Sequence, residues 1–114
     1  MSFIFFAVAT AGLTVDPVVD QFLKDALFDY ESAKIEVTLA PRERPVQENG
    51  RLPTKKKPAT TISIVHCMRI NSKNRFGGYI GWRRYYFIVR KESVVFYKNE
   101  DESSYQVEEE CPSK

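Results

Sequence analysis

Residues 67–82 read CMRINSKNRFGGYIGW, and the rest of the chain is arranged around them. A β-type run ends at Ile70, Asn71 to Asn74 are polar residues suited to a turn, and glycines at 77, 78 and 81 sit among Phe76, Tyr79 and Trp82. Asparagine and glycine tolerate positive φ and supply turn hydrogen bonds, while glycine between aromatics lets a ring or another backbone approach closely at a bend. The stretch therefore predicts a strand that reverses through a specialised turn. Asn71, Lys73, Asn74, Gly77, Gly78 and Gly81 are its structural residues, with the glycines and asparagines, the three glycines above all, expected in backbone conformations denied to β-branched residues. A lysine ahead of paired glycines is not a phosphate loop here, because the Gly-x-x-x-x-Gly-Lys-Ser/Thr spacing is absent and no helix follows.

Working outward, Thr60 to Ile70 predicts the strand leading into the turn, with Ile62, Ile64, His66, Met68 and Ile70 on one face and Thr61, Ser63, Val65, Cys67 and Arg69 on the other. Arg83 to Arg90 and Val94 to Tyr97 predict two more strands joined through Lys91-Glu92-Ser93, which makes the C-terminal half an antiparallel meander. Upstream, Ile35, Val37 and Leu39 alternate with Glu36 and Thr38, predicting a half-buried strand that stops at Ala40-Pro41. Before it, Asp16-Pro17 is a helix start, with Asp16 as the cap and Pro17 in the first position, where its missing N–H costs nothing. Val18, Val19, Phe22, Leu23, Ala26, Leu27 and Tyr30 recur at three- and four-residue steps, which predicts a helix to about Tyr30 with one apolar stripe. The expected fold is one α+β domain over residues 16–98: an N-terminal amphipathic helix on an antiparallel meander of about four strands.

One segment interrupts that domain and two flank it. Residues 41–58 hold four prolines, Asn49-Gly50 and the run Lys55-Lys56-Lys57 with little apolar material, so a basic loop is expected, mobile rather than the alternative of a functional arm. Residues 99–114 hold six acids and one lysine, net −5, and predict a frayed tail; against +2 for the whole chain this leaves +7 on the body. Residues 1–15 are apolar, and Ala7-Val8-Ala9 and Ala9-Thr10-Ala11 have the small-x-small form of signal-peptidase sites. No Lys or Arg precedes that run, and it is too short to span a bilayer, so a buried segment is the alternative to a signal-like one.

The turn block resembles a motif of small, uncharacterised secreted proteins of Gram-negative bacteria and their mobile elements, Cys-Gly-x-Val-Asn-Ala-Lys-Asn-Ser-Phe-Gly-Gly-Tyr-x-Gly. Cys67, Asn71, Lys73, Asn74, Phe76, Gly77, Gly78, Tyr79 and Gly81 match it, while Met68 stands for a glycine, Ser72 for an alanine and Arg75 for a small polar residue. Such proteins also carry Leu-x-Asp-Pro-x-Ser-Ala-x-Phe after an N-terminal helix, and Asp29-Tyr30-Glu31-Ser32-Ala33-Lys34-Ile35 is similar to it without the proline and phenylalanine. The resemblance implies a shared fold and a secreted or periplasmic location. It implies no activity.

Composition offers little to catalysis. The single histidine, His66, neighbours Cys67 on a strand, so the two side chains face opposite ways and form no dyad. Zinc spacing and a Gly-x-Ser-x-Gly elbow are absent, and no cofactor, metal ligand or catalytic residue is expected. The expected function is a non-enzymatic binding or inhibitor module in the cell envelope, with another protein as partner and no transmembrane span. The alternative is an intracellular, phage-type protein that neutralises a nucleic-acid-handling partner, with direct nucleic-acid binding the lesser reading. Aromatic and arginine side chains dominate binding hot spots, which makes Arg75, Phe76, Tyr79, Trp82, Arg83 and Arg84 the candidate patch. Filling of the space between sheet and helix is the competing use of those rings. Cys67 and Cys111 are expected to form a disulfide in an oxidising compartment, with two free thiols as the alternative.

Overall fold

In the computed structural model, which describes residues 13–112, helix α1 spans Pro17–Ala26 and opens as the sequence predicts. The Asp16 carboxylate accepts hydrogen bonds from the amides of Val18 (2.9 Å) and Val19, and Pro17 occupies the first turn. The helix ends four residues earlier than expected. Leu27 turns extended after its amide closes on the Leu23 carbonyl at 2.9 Å, and Tyr30 folds back through a short 3-10 turn, Tyr30–Ser32, to donate its hydroxyl to Asp20. Leu27 and Tyr30 still pack on the same core as the helix, which is why the apolar period runs past the helix end. The signal-like reading of residues 1–15 falls almost wholly outside the described residues.

Four strands follow: β1 (Lys34–Val46), β2 (Thr61–Asn71), β3 (Arg83–Arg90) and β4 (Ser93–Asn99). They form one antiparallel sheet in the order β1-β2-β3-β4, the expected meander. Strand β3 is buried on both faces over Tyr86-Phe87-Ile88-Val89, as befits a central strand. The β3–β4 turn places Lys91 and Glu92 at φ 52° and 63°, the left-handed pair that a two-residue hairpin turn requires. Both edges are irregular: β1 shifts register between Val37 and Leu39 and between Leu39 and Arg42, and the β3–β4 pairing shifts between Ile88 and Val89. Such bulges blunt an edge against further strand addition.

Two expectations need correction. Strand β1 does not stop at Pro41; it continues through Arg42, Arg44 and Pro45 to Val46, paired with Val65 through Thr61. Proline removes one ladder donor, which an edge strand tolerates because alternate amides face away from its only neighbour. The loop expected at 41–58 therefore begins only after Val46. It carries its own hydrogen bonds, Gln47 to Arg51 and Thr54 to Lys57, and Gly50, at φ +87°, brings its backbone against Val95 and Phe96.

The acidic tail is also ordered. Helix α2 spans Glu100–Glu110, capped by Asn99 in a reciprocal box with Glu102 and interrupted at Ser103. Its acids are met by arginines from distant strands: Arg83 binds Asp101 at 2.8 Å, and Arg84 binds Glu100 at 2.9 Å and Glu108 at 2.7 Å. Glu110 is 1% exposed and takes a two-point contact from Arg44, 3.0 Å on each oxygen, plus Arg42 at 3.2 Å. Cys111 then forms a disulfide with Cys67, the Cα atoms 5.7 Å apart. The sheet is thus covered on both faces rather than one. Val19 and Leu23 of α1 pack with Met68, Ile70, Phe87 and Val89, whereas Val107 of α2 and Cys111, just after it, pack with Val46, Val65, Cys67, Tyr86 and Ile88.

Candidate functional site

The turn between β2 and β3 stands out from this two-sided core as a hairpin whose backbone is tied to itself. Lys73 pairs with Tyr79, the Asn74 amide donates to the Gly78 carbonyl at 2.9 Å, and the Gly77 amide donates to the Asn74 carbonyl at 3.1 Å. The Asn74 side-chain oxygen sits inside the bend and accepts from the amides of Phe76 (2.9 Å) and Gly78 (3.2 Å). Lower down, Asn71 does the same for the Gly81 amide at 2.9 Å, and the Ile80 amide reaches the Ser72 carbonyl at 3.0 Å. Gly77 and Gly81 hold φ of +86° and +99°, where a side chain is strained. Gly78, Asn71 and Asn74 are not among the positive-φ residues, which corrects the expectation for them.

This scaffold presents Phe76 at its apex, 95% exposed, with Arg75 beside it and Tyr79, Ile80 and Trp82 exposed along the stem. The rings do not fill the space between sheet and helix. Cations stand next to them instead: the Arg69 guanidinium lies 4.3 Å from the Trp82 ring, and Lys34 and Lys73 lie 4.7 and 5.3 Å from the Tyr79 ring. Arg69 also binds Glu36 across the β1–β2 pair.

Of the six residues expected in the patch, Arg75, Phe76, Tyr79 and Trp82 share this hairpin. Arg83 and Arg84 lie beyond it at the start of β3, and their guanidiniums hold α2 to the sheet. The members that single-sequence reasoning missed, Lys34 and Arg69, sit on strands paired at the base of the hairpin. The 29–35 segment and the turn block also meet here: the Tyr79 hydroxyl donates to the Ser32 carbonyl at 2.8 Å, Lys34 pairs with Asn71, and Ile35 with Ile70.

The buried titratable groups lie elsewhere. Burial lowers the pKa of His66, opposed in part by Asp16, and burial together with the Glu110 carboxylate pushes the Tyr86 phenol up to about 12. Hydrogen bonding to Glu110 holds Arg44 above its ordinary range. Among the described residues, no group of three or more His, Cys, Asp or Glu is placed to hold a metal ion, and no helix is long and apolar enough to cross a membrane. No family model matches the chain, and no curated protein or solved structure matches it either.

Proposed function

We propose that this chain is a non-enzymatic binding module of the cell envelope whose contact element is the 71–82 hairpin. The observation that carries the reading is Phe76: a large apolar ring, 95% exposed, held on a backbone already fixed by Asn74 and Asn71. Covering such a ring is worth about 1.5–3 kcal/mol, and a fixed loop surrenders little conformational entropy when it is covered. The surrounding Tyr79, Trp82 and arginines are the residue types that concentrate binding energy at interfaces. A disulfide between two buried cysteines supports an oxidising compartment rather than the cytosol, and so favours the envelope over the intracellular alternative.

The test is retention of the purified protein on isolated Gram-negative envelope material, comparing the natural chain with Phe76→Asp. Loss of the ring should weaken retention by roughly ten- to a hundredfold while leaving the melting temperature unchanged, since Phe76 touches no core residue. Equal retention of the two proteins would sink the reading.

A further inference from the structure

We propose that the surface this hairpin seats on is an anionic lipid bilayer, an inference that rests on the hairpin being the contact element and goes on to name what it contacts. Its side chains are layered in the order in which a membrane interface is layered. Phe76 is at the apex with Arg75 beside it, Lys73 and Tyr79 pair at the next level, and Trp82 lies nearer the sheet. A bilayer offers hydrocarbon, then anionic headgroups, then the wet boundary where tyrosine and tryptophan rings settle.

Charge points the same way. Between Asn71 and Trp82 the sequence has two cations and no acid. At the base Glu36 is engaged by Arg69 and Asp101 by Arg83, and the exposed Glu31 beside Ser32 is outnumbered by Lys34, Lys73 and Arg75. The patch facing outward is therefore net positive although the whole chain carries only +2.

The backbone supplies the third argument. A polypeptide entering a less polar medium leaves behind the water that satisfied its amides, and each unsatisfied donor opposes entry. At this apex the amides of Phe76, Gly77 and Gly78 are all bonded within the bend, to the Asn74 side chain or carbonyl. These three amides thus leave water without losing their hydrogen bonds. It is also convex, with Phe76 free on nearly every side; a bilayer accepts such a wedge without a preformed pocket, which a protein partner would have to supply. One ring and two flanking cations make a shallow, reversible attachment that weakens as salt rises.

Trp82, the single tryptophan, reports on the encounter. The full-length, disulfide-intact protein is mixed with vesicles of phosphatidylcholine alone or with phosphatidylglycerol added, and sedimentation and Trp82 emission are followed. The expected result is co-sedimentation and a blue shift with the anionic vesicles, lost at about 0.5 M salt. Phe76→Asp and Arg75→Glu should each weaken binding by roughly tenfold or more, with melting temperatures unchanged. Failure to bind anionic vesicles, equal binding to neutral ones, or equal binding by Phe76→Asp would overturn the inference. Should the protein ignore vesicles yet be retained on envelope material through Phe76, its partner is a protein: this inference falls and the binding-module reading stands. Should both assays fail, both fall.

Discussion

Removing the disulfide by Cys67→Ala with Cys111→Ala tests how α2 is held. The bond joins residues separated by 44 positions, and in the chain-entropy model a loop of that length in the unfolded chain is worth about 4 kcal/mol. The folded cost is concentrated in one place, because Cys111 caps α2 and follows directly on the buried Glu110. For a domain of this size about 4 kcal/mol corresponds to a fall in melting temperature of roughly 15–20 °C. Thermal unfolding followed by circular dichroism, with the natural protein melted in parallel with and without reductant, reads the number directly. The reduced protein and the double variant should agree. A fall of less than about 4 °C, equivalent to roughly 1 kcal/mol, would refute the loop-closure argument. Two reactive thiols in denatured protein prepared without reductant would refute the bond itself.

Around Glu110 the two halves of the ion cluster should behave unequally: Glu110→Gln leaves two arginines that still reach solvent and should cost about 1–3 kcal/mol, whereas Arg42→Ala with Arg44→Ala strands a buried carboxylate and should cost roughly 3–5 kcal/mol. Urea unfolding ranks the two, and the reverse order would contradict the account of the cluster. In the hairpin, Gly81→Ala should cost about 1–2 kcal/mol because φ is +99°, while Gly78→Ala, with open space around it, should stay within about 0.5 kcal/mol in the same melt. His66 sets a pH dependence. Its folded pKa lies below 6.5, so the unfolded chain takes up the proton more readily, and the His66 contribution is complete above 6.5 and lost as pH falls through the lower folded value. The difference in melting temperature between about pH 7.5 and about pH 5 should shrink in His66→Gln, and an unchanged difference would assign the dependence to other groups.

Where sequence and structure agree, the signal is local. Asp16-Pro17 needs only its own next two amides to start α1, and Asn71 and Asn74 need only amides within ten residues to build the hairpin. The meander follows from alternating strands consecutive in the chain, the last two joined by a two-residue turn. What stayed hidden depends on partners far along the chain. Glu100, Asp101, Glu108 and Glu110 look like a repelling tail until Arg83, Arg84, Arg42 and Arg44 are placed against them, and α2 forms for that reason. Those same pairs engage Arg83 and Arg84, which the sequence counted in the candidate patch. Pro41 and Pro45 mark a loop in a central-strand reading but are permitted once β1 is known to be an edge. At the candidate site, Phe76, Tyr79, Trp82 and Arg75 were legible because they share one turn. Lys34 was not, since only folding brings it over a ring 45 positions away.

The central claim is that residues 71–82 are the surface this protein uses, and amide hydrogen exchange tests it most directly. Purified protein is exchanged alone and in the presence of isolated envelope material, and protection is compared peptide by peptide. The account predicts added protection confined to the hairpin and the Ser32–Lys34 segment it touches, with α2 and the 47–60 loop unchanged. Protection over α2 or the lysine loop with the hairpin unaffected would contradict it.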